Sequence, residues 1–377
     1  MNLKSLVLCS DEKIVRVLRR TLGDLDIDVE LCNTPESALR KLSRQRFEAI
    51  IADCAELGAA EVLRSARNAP CNKQAIAVAI VAADAALRSV FQIGAHFVLF
   101  KPVSSERAKA SFRAARALMK CERRRNVRVP VQIPVVIRNS QAGANIKVTT
   151  TDLSAGGMAV DIPKRSRPRG ACQAVFTLPG TNKAIELSAE FAWEGNSSQA
   201  GLRFLNVSSE AAHQLREWLQ RSSPDAEPDD PPIQCQLTDL SLGGCYLAIS
   251  SPFPVSTRVT LLMRAADLEL RVAGVVRVMH PDRGMGVEFT QTTAQHRQSL
   301  EKFLNVLTEN RNLSPELLVE PEGLEREEDK IAQQSSERPD GTKDPLLELF
   351  HSHAAVSAES FLAELRQQRG LTAHASA

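Results

Sequence analysis

Four arginines stand within one stretch of six residues: Arg123, Arg124, Arg125 and Arg128. Because Arg124 and Arg128 are four positions apart, their side chains can point to the same side of the chain. A guanidinium group binds phosphate through paired hydrogen bonds, suits the O6/N7 edge of guanine, and stacks on a purine face. The cluster predicts a local site for an anion with planar groups. An arm for nucleic acid or an acidic partner is the alternative, which the short run and the lack of interleaved aromatic residues disfavour.

A short acidic motif follows the arginines and occurs twice. Residues 151–157 read Thr-Asp-Leu-Ser-Ala-Gly-Gly, and residues 238–244, placed 87 positions further on, read Thr-Asp-Leu-Ser-Leu-Gly-Gly. In the first copy Asp152 offers an acceptor for guanine N–H groups, Ser154 a small donor, and Gly157 close backbone approach without a Cβ. Together with the arginines, this copy indicates a site for a guanine nucleotide that carries several phosphates.

The motif can also be no more than an Asx-type turn, in which Asp and Ser bond the local backbone. This interpretation is favoured for the second copy, Asp239–Gly244, because residues 222–232 before it supply acids and prolines but no arginine pair. The binding interpretation is favoured for the first copy, which has arginines where a ligand would need them. The repeat therefore predicts one copy that binds a ligand and one copy that keeps only the turn and the fold.

Composition limits the classes of partner. The formal net charge is +2 over 377 residues, so the chain is not a polycation and nucleic acid is not an expected partner. Eight cysteines contain no Cys-x-x-Cys pair, which predicts free thiols rather than a zinc site or a disulfide framework. The first apolar run is too short for a signal peptide, and no stretch is long enough for membrane insertion. We therefore expect a cytoplasmic protein.

Hydrophobic periodicity divides the chain into domains. Continuous apolar runs alternate with helical patterns at the start, which predicts a doubly wound parallel sheet of flavodoxin-like type, and a connecting helix is expected to end near Lys120. Short alternating strands with Gly and Pro then predict two β units, each closed by a helix. The expected segments are an α/β domain at 1–119, a β domain at 120–221, a linker at 222–232, a second β domain at 233–308, and a mostly disordered tail at 309–377.

The tail contains one candidate helix, at 344–370. Asp344 and Pro345 form a good helix start, an N-cap followed by proline at the first helical position. Two interpretations stay open, a helix that docks on a partner and a weakly ordered tail helix. The apolar residues that could line one face of this helix are Leu346, Leu349, Phe350, Phe361, Leu362 and Leu365.

The arginine and Asp-x-Ser-x-x-Gly motifs make residues of about 121–220 resemble a PilZ domain, the bacterial receptor module for cyclic di-GMP. The resemblance implies a small β-barrel with ligand contacts from Arg124, Arg128 and the first motif copy, and with Arg123 as a helper. It also places Trp193 near the ligand, although a core or lid position explains this tryptophan equally well. The second copy, about 233–307, resembles a degenerate PilZ domain in which Arg277 takes the place of Trp193.

The first domain resembles a response-regulator receiver. The resemblance rests on Asp11 after the first strand, Asp53 after the third, and Lys101 before a proline. It implies that Asp53 accepts phosphoryl, that Asp11 and Asp53 can hold Mg²⁺, and that Lys101 senses the phosphoryl group. Ser10 stands where a second metal-binding acid is usual.

The switch residues of a receiver are also altered. Ala82 and Ala83 replace the hydroxyl residue that senses phosphoryl, and no aromatic residue stands at Val98 or Leu99. These departures favour a pseudo-receiver used for dimerisation or docking over a phosphorylation switch.

The leading hypothesis is a non-enzymatic bacterial receptor for cyclic di-GMP, in which ordering of the linker at 123–128 moves the domains relative to one another. The chain has no phosphate-binding loop, no Gly-x-Ser-x-Gly and no signature of the enzymes that make or degrade the dinucleotide, so no catalytic residue is predicted. The expected partners are cyclic di-GMP and an unidentified effector protein. A response regulator phosphorylated on Asp53 by a histidine kinase is the second hypothesis, and a scaffold without either input is the third.

Overall fold

The computed structural model describes residues 2–69, 71–82, 87–138, 145–162, 170–195, 198–205, 207–222, 230–290, 294–310, 314–325, 344–353 and 358–375. The chain forms two compact units. One unit comprises Met1–Glu122 and Asp229–Ala377, and the other comprises Arg123–Pro228. No helix among the described residues is long and apolar enough to cross a membrane.

The first domain is a five-stranded parallel sheet covered by helices, as the continuous apolar runs predict. The strand order β2-β1-β3-β4-β5 is that of the flavodoxin-like fold. One hydrophobic cluster joins the sheet to α1 and α5, and another joins it to α2, α3 and α4. The elements are β1 Leu3–Leu8, α1 Glu12–Gly23, β2 Ile27–Cys32, α2 Pro35–Leu42, β3 Ala49–Asp53, α3 Ala59–Asn68, β4 Ile76–Val81, α4 Leu87–Gln92, β5 Phe97–Phe100 and α5 Ser105–Asn126.

Helix α5 is longer than the sequence predicts, because it continues past Lys120 to Asn126. It therefore takes Arg123, Arg124 and Arg125 into its last turn, where cationic side chains interact favourably with the helix dipole. The expectation that residues 123–128 form a disordered linker is wrong for Arg123–Asn126.

The unit Arg123–Pro228 contains a closed six-stranded antiparallel barrel. Strands β8, β7, β10, β11, β12 and β9 pair in that order, and β9 pairs back with β8 to close the barrel, while the short β6 pairs with β8 outside the closed ring. Its core consists of alternate, inward-facing side chains from these strands together with Leu215 and Leu219 of α6. The elements are β6 Val129–Pro130, β7 Pro134–Arg138, β8 Asn145–Ser154, β9 Gly157–Asp161, β10 Ala171–Thr177, β11 Ala184–Glu194, β12 Gln199–Leu205 and α6 Ser209–Ser222.

A second closed six-stranded barrel follows, with strand order β13-β14-β17-β16-β15-β18. Strand β18 lies beyond the predicted limit of 308, in the segment expected to be disordered. Charge and proline suggested disorder there, but pairing with both β13 and β15 gives the strand partners on each edge. The elements are β13 Ile233–Leu240, β14 Gly244–Ala248, β15 Thr257–Ala265, β16 Leu268–His280, β17 Gly284–Phe289, α7 Ala294–Glu309 and β18 Glu316–Leu324.

The two barrels have the same strand order but a different chain order. In the first barrel, β7 lies between β8 and β10 and precedes both in the chain. In the second barrel, β18 lies between the corresponding strands β13 and β15 but follows both of them and the closing helix α7. The second copy therefore completes its barrel with a strand from its C-terminal side.

The first domain packs on the second barrel through α5 and β18. The Cys121 Sγ lies 3.1 Å from the carbonyl oxygen of Pro321, and the Leu324 N–H donates to Glu122 Oε1 at 2.7 Å. Lys120 Nζ pairs with Asp230 Oδ1 at 2.9 Å. A single hydrophobic cluster includes side chains of α5 and of the second barrel. The α/β domain and the second barrel are therefore packed together in one unit.

Two further helices, α8 Pro345–His353 and α9 Ala358–Ala375, follow β18. The apolar residues predicted to line one face of a tail helix are buried or partly buried here, in one cluster with residues of the second barrel. Residues 326–343, part of the expected disordered tail, lie outside the described residues, as does Ala83 of the first domain. All eight cysteines are free thiols, as predicted.

Candidate functional site

The first motif copy lies beside Arg128 because β6 pairs with β8. In this pairing Val129 is opposite Leu153, and Pro130 is opposite Asp152. The register brings the Arg128 guanidinium to the Asp152 carboxylate, with Nη1 2.7 Å from Oδ1. The side chain of Arg128 is 49% exposed and that of Asp152 is 25% exposed. The structure thus joins two of the residues that the sequence predicted to bind one ligand.

A single row of cross-strand partners connects Asp152 with Trp193. Asp152 on β8 is opposite Ala159 on β9, Ala159 is opposite Gly201 on β12, and Gly201 is opposite Trp193 on β11. Three steps between strands of about 4.8 Å give a row of roughly 14 Å. The row is on the outer face, because the neighbours Met158 and Leu202 belong to the core. An acid and a tryptophan therefore flank two residues with almost no side chain.

Trp193 lies over Gly201 at the outside of the barrel. A Cβ placed on Gly201 would lie 2.1 Å from the indole Nε1, so only glycine fits beneath this ring. The side chain is 43% exposed. The ring is therefore not part of the barrel core but covers the row from outside, and its contact with a ligand remains a prediction.

Ser154 and Gly157 shape the turn that follows Asp152. The Ser154 hydroxyl donates to the Gly157 carbonyl oxygen at 2.9 Å, and the residue is buried. A Cβ on Gly157 would lie 2.2 Å from the main-chain oxygen of Leu202, which explains why a glycine stands there. Direct ligand contacts from Ser154 and Gly157 remain predictions, since in this structure both residues hold the turn.

Arg123 and Arg124 lie in the last turn of α5, six and five residues before β6 begins at Val129, and each is partly exposed. Their predicted role as ligand contacts remains a prediction. Arg125 is in the same turn. Three cationic side chains thus precede the Arg128–Asp152 pair in the chain.

Sequence reasoning missed Arg203. On β12 it is the cross-strand partner of Gly157, and its Nε donates to Glu190 Oε1 on β11 at 2.9 Å. Arg203 lies in Gly201–Phe204, which matches Gly286–Phe289 of the second copy. The sequence did mark this position as one where the two copies differ, because the second copy has Glu288 where the first has Arg203. The residue opposite the motif glycine is therefore a cation in the first barrel and an acid in the second.

The second motif copy keeps the turn but not the site. Ser241 Oγ donates to the Gly244 carbonyl oxygen at 3.2 Å, as Ser154 does in the first copy. The corresponding row runs from Asp239 through Tyr246 and Gly286 to Val278. Tyr246 thus replaces Ala159, and the bulky ring is buried. This barrel holds the motif as a structural turn, in agreement with the sequence.

The expectation that Arg277 takes the place of Trp193 is wrong. The pairing shifts between Val276 and Val278, so Val278 is opposite Gly286 and Arg277 lies in a bulge. The Arg277 side chain pairs instead with Glu288 at 2.8 Å and with Glu325 at 3.0 Å. The first barrel has a bulge at the matching place, between Phe191 and Trp193, so Val278 and not Arg277 corresponds to Trp193.

In the α/β domain the predicted phosphoacceptor and its lysine are in direct contact. Lys101 Nζ lies 2.6 Å from Asp53 Oδ2, and Asp53 is buried. Burial lowers the pKa of Lys101, but the hydrogen bond and the charge of Asp53 outweigh that effect and raise the pKa. The Cys9 Sγ lies 3.8 Å from the same carboxylate oxygen, and burial raises the pKa of its thiol to about 11. The lysine is thus held as a cation beside the acid.

The acidic and polar residues around Asp53 bond mainly to the local backbone and to one another. Asp11 Oδ1 accepts from the main-chain N–H of Lys13 at 2.8 Å and so caps α1. Ser10 contributes no carboxylate, and its main-chain N–H donates to Glu56 Oε1 at 2.8 Å. Among the described residues no group of three His, Cys, Asp or Glu side chains could hold a metal ion. The Mg²⁺ role of Asp11 and Asp53 remains a prediction, since Mg²⁺ can be held by one or two carboxylates together with waters.

Parts of this chain are similar to known proteins. A model of the PilZ domain matches residues 122–221 and 222–305. A search of curated protein sequences found no significant match. A PilZ domain of CeSA from a cellulose-synthesizing bacterium is similar with 22% identity, covering 25% of this chain and 95% of that chain, at a TM-score of 0.22.

Two receiver structures are similar to this chain. The receiver domain of a sensor histidine kinase from Pseudomonas aeruginosa, with a magnesium ion in its active-site cleft, shares 21% identity over 32% of this chain and 98% of that chain, at a TM-score of 0.28. A chemotaxis response regulator of Vibrio cholerae shares 22% identity over 30% of this chain and 99% of that chain, at a TM-score of 0.28.

Proposed function

Because the chain carries two PilZ domains behind a receiver-like domain, and both are signalling modules, we propose that it is a cytoplasmic receptor for cyclic di-GMP. The first PilZ domain, with Arg128 and Asp152, is the binding domain. Arg123 and Arg124 contribute further cationic contacts. An effector protein receives the signal, and no residue of the chain is assigned a catalytic role.

The observation that carries the proposal is the row from Asp152 to Trp193. Arg128 and Asp152 at one end offer a guanidinium for phosphate and a carboxylate for guanine N–H groups. Trp193 at the other end, seated over Gly201, offers an aromatic face for stacking, and Ala159 adds only a methyl group between it and Asp152. This is the chemistry that a dinucleotide with two purines and two phosphates requires.

Helix α5 offers a route for relay. Its residues Lys120 and Glu122 contact the second barrel, and its last turn carries Arg123 and Arg124. We infer that a ligand held by these arginines alters the end of α5 and thereby the docking of the receiver-like domain. Hydrogen exchange of the α5 amides with and without ligand measures this directly.

Calorimetric titration of the full chain with cyclic di-GMP tests the binding. Each charge-assisted hydrogen bond contributes about 1.5–3 kcal/mol, so loss of two arginines is expected to weaken binding by roughly 100-fold or more. The variant carries Arg124→Ala with Arg128→Ala. The matched control is Arg138→Ala, which removes an arginine of the same barrel whose partner is Glu186, away from the row. Absence of binding at micromolar ligand, or equal binding by the double variant, refutes the proposal.

The contact between Lys101 and Asp53 supports a second candidate function, a response regulator whose Asp53 accepts phosphoryl from a histidine kinase. Acetyl phosphate should then label the protein, and Asp53→Asn should abolish the labelling. Absence of labelling in the presence of Mg²⁺ favours the docked pseudo-receiver. The two functions are separable, because the calorimetric experiment requires no phosphorylation.

A further inference from the structure

Helices α8 and α9 cover the motif face of the second PilZ domain. One buried cluster contains side chains from both helices and from strands β14 and β16 of the barrel. Its members are Tyr246, Val278, Leu346, Leu347, Leu349, Phe350, Phe361 and Leu365, with Leu362 packed against them. The covered face is the one that corresponds, by motif and register, to the candidate site of the first barrel.

A carboxylate holds the helices to the motif itself. Asp344 Oδ2 accepts a hydrogen bond from the Gly243 main-chain N–H at 2.9 Å. Its other oxygen, Oδ1, accepts from the N–H groups of Leu346 at 3.1 Å and Leu347 at 3.4 Å, at the start of α8. Asp344 thus caps the helix and binds the motif loop at the same time. The main-chain N–H of Gly243 in the motif loop is therefore hydrogen-bonded to a carboxylate of the same chain.

Two glycines of the barrel fit the shape of α8. A Cβ on Gly243 would lie 2.5 Å from Leu347 Cδ1 and 2.7 Å from Asp344 Oδ2, and a Cβ on Gly286 would lie 2.6 Å from the ring of Phe350. At both positions the three atoms nearest to the added Cβ belong to Asp344, Leu347 or Phe350. A side chain at either glycine would therefore collide with the tail helix and not first with the barrel. In the first barrel, Trp193 covers the corresponding glycine, Gly201.

The chemistry of this face suits a helix and not a nucleotide. Tyr246, in the place of Ala159, fills the middle of the row, and its hydroxyl lies 3.0 Å from His280 Nδ1. The Tyr246 ring centroid is 5.1 Å from that of Phe361 of α9. Glu288 stands where the first barrel has Arg203, so this face lacks that cation and carries an acid instead. Glu288 pairs with Arg277, and the part of the face that meets the tail helices is apolar and aromatic.

We propose that the second PilZ domain is a helix-docking module, and that residues 344–353 and 358–365 of this chain, from α8 and α9, are its occupant. The module recognises an amphipathic helix through three features: an acidic N-cap on the motif loop, a leucine over Gly243, and an aromatic ring over Gly286. The inference stands independently of cyclic di-GMP binding, because every contact that carries it lies in the second barrel and the tail helices.

The test is to cut the connection and ask whether the helices stay. A protease site is introduced into the segment 326–343 of the full chain, the protein is cleaved, and the products are separated by gel filtration. The cleaved tail of the unsubstituted chain is expected to co-elute with the body. A labelled synthetic peptide of residues 344–367 is expected to exchange into the cleaved protein and to bind the uncleaved protein at least tenfold more weakly, since the covalent tail competes.

Two variants on opposite sides of the contact keep the test sharp. Gly286→Ala places a methyl group against Phe350, and Phe350→Ala removes the ring from the tail without changing the barrel. Both are expected to release the cleaved tail. The control Arg366→Ala changes an exposed side chain of α9 and should retain it. Separate elution of the unsubstituted tail, or co-elution of the tail in both variants, would overturn the proposal.

Discussion

Trp193 provides the sharpest test of the candidate site, because among the described residues its ring is the one large exposed aromatic surface beside the row. If the exposed 43% of the side chain is covered by a purine of the ligand, Trp193→Ala removes one base–aromatic stacking contact. Such a contact contributes about 1–3 kcal/mol, which corresponds to a loss of affinity of roughly 5- to 150-fold. Trp193→Phe keeps a smaller aromatic face, so its affinity for the ligand should lie between those of the unsubstituted chain and Trp193→Ala.

The assay can use the intrinsic fluorescence of the protein. The chain has two tryptophans, Trp193 and Trp218. Trp218 lies on α6, where its Nε1 donates to the Pro179 carbonyl oxygen at 3.1 Å, away from the row. A Trp218→Phe background therefore leaves Trp193 as the sole reporter, and titration with cyclic di-GMP should change its emission with the same dissociation constant that calorimetry gives.

Two outcomes would refute this reasoning. One is a dissociation constant for Trp193→Ala within twofold of the unsubstituted chain. The other is ligand binding by calorimetry without any change in Trp193 emission. Either result would assign the ring a covering role over Gly201 alone. Thermal melting of each variant serves as the control for folding.

Three further outcomes are expected. Ala159→Tyr copies the second barrel's Tyr246 into the first row and should reduce cyclic di-GMP binding at least tenfold in a calorimetric titration, whereas the same change at the exposed Ala184 should not. Gly157→Ala forces a methyl group against the Leu202 carbonyl oxygen at 2.2 Å and should destabilise the first barrel by about 1–3 kcal/mol, seen as a lower melting temperature. Burial, with a smaller contribution from the charge of Arg67, lowers the pKa of His96 well below its ordinary value. The unfolded chain therefore takes up a proton that the folded chain does not, so stability should fall as pH drops below about 6.5, and His96→Asn should flatten that dependence in urea unfolding measured across pH.

Local patterns in the sequence determined much of the architecture. Continuous apolar runs such as Ile76–Val81 are wholly buried in the parallel sheet, because a strand covered on both faces has no solvent side to mark with polar residues. The duplicated motif identified two related β domains, and both form closed barrels with a helix after them. The apolar face of the tail was visible too, since residues at helical spacing such as Leu346 and Phe350 are buried together.

The features that the sequence did not predict depend on strand pairing between residues far apart in the chain. Strand β18 has the charge and proline content of a disordered segment, and only its pairing with β13 and β15 makes it a strand. The bulge at Arg277 depends on the register with β17, and a one-residue shift changes which side chain faces the row. Arg203 beside Gly157 is likewise a cross-strand neighbour, 46 residues away in sequence.

The inequality of the two motif copies shows how both sources contribute. From the sequence alone, the arginines before the first copy favoured it for binding. Tertiary structure added the physical reason for the difference. Register puts Ala159 in one row and Tyr246 in the other, and packing lays α8 over Gly243 and Gly286. Residue types fixed the chemistry available to each barrel, while pairing and packing decided which groups meet and which face is covered.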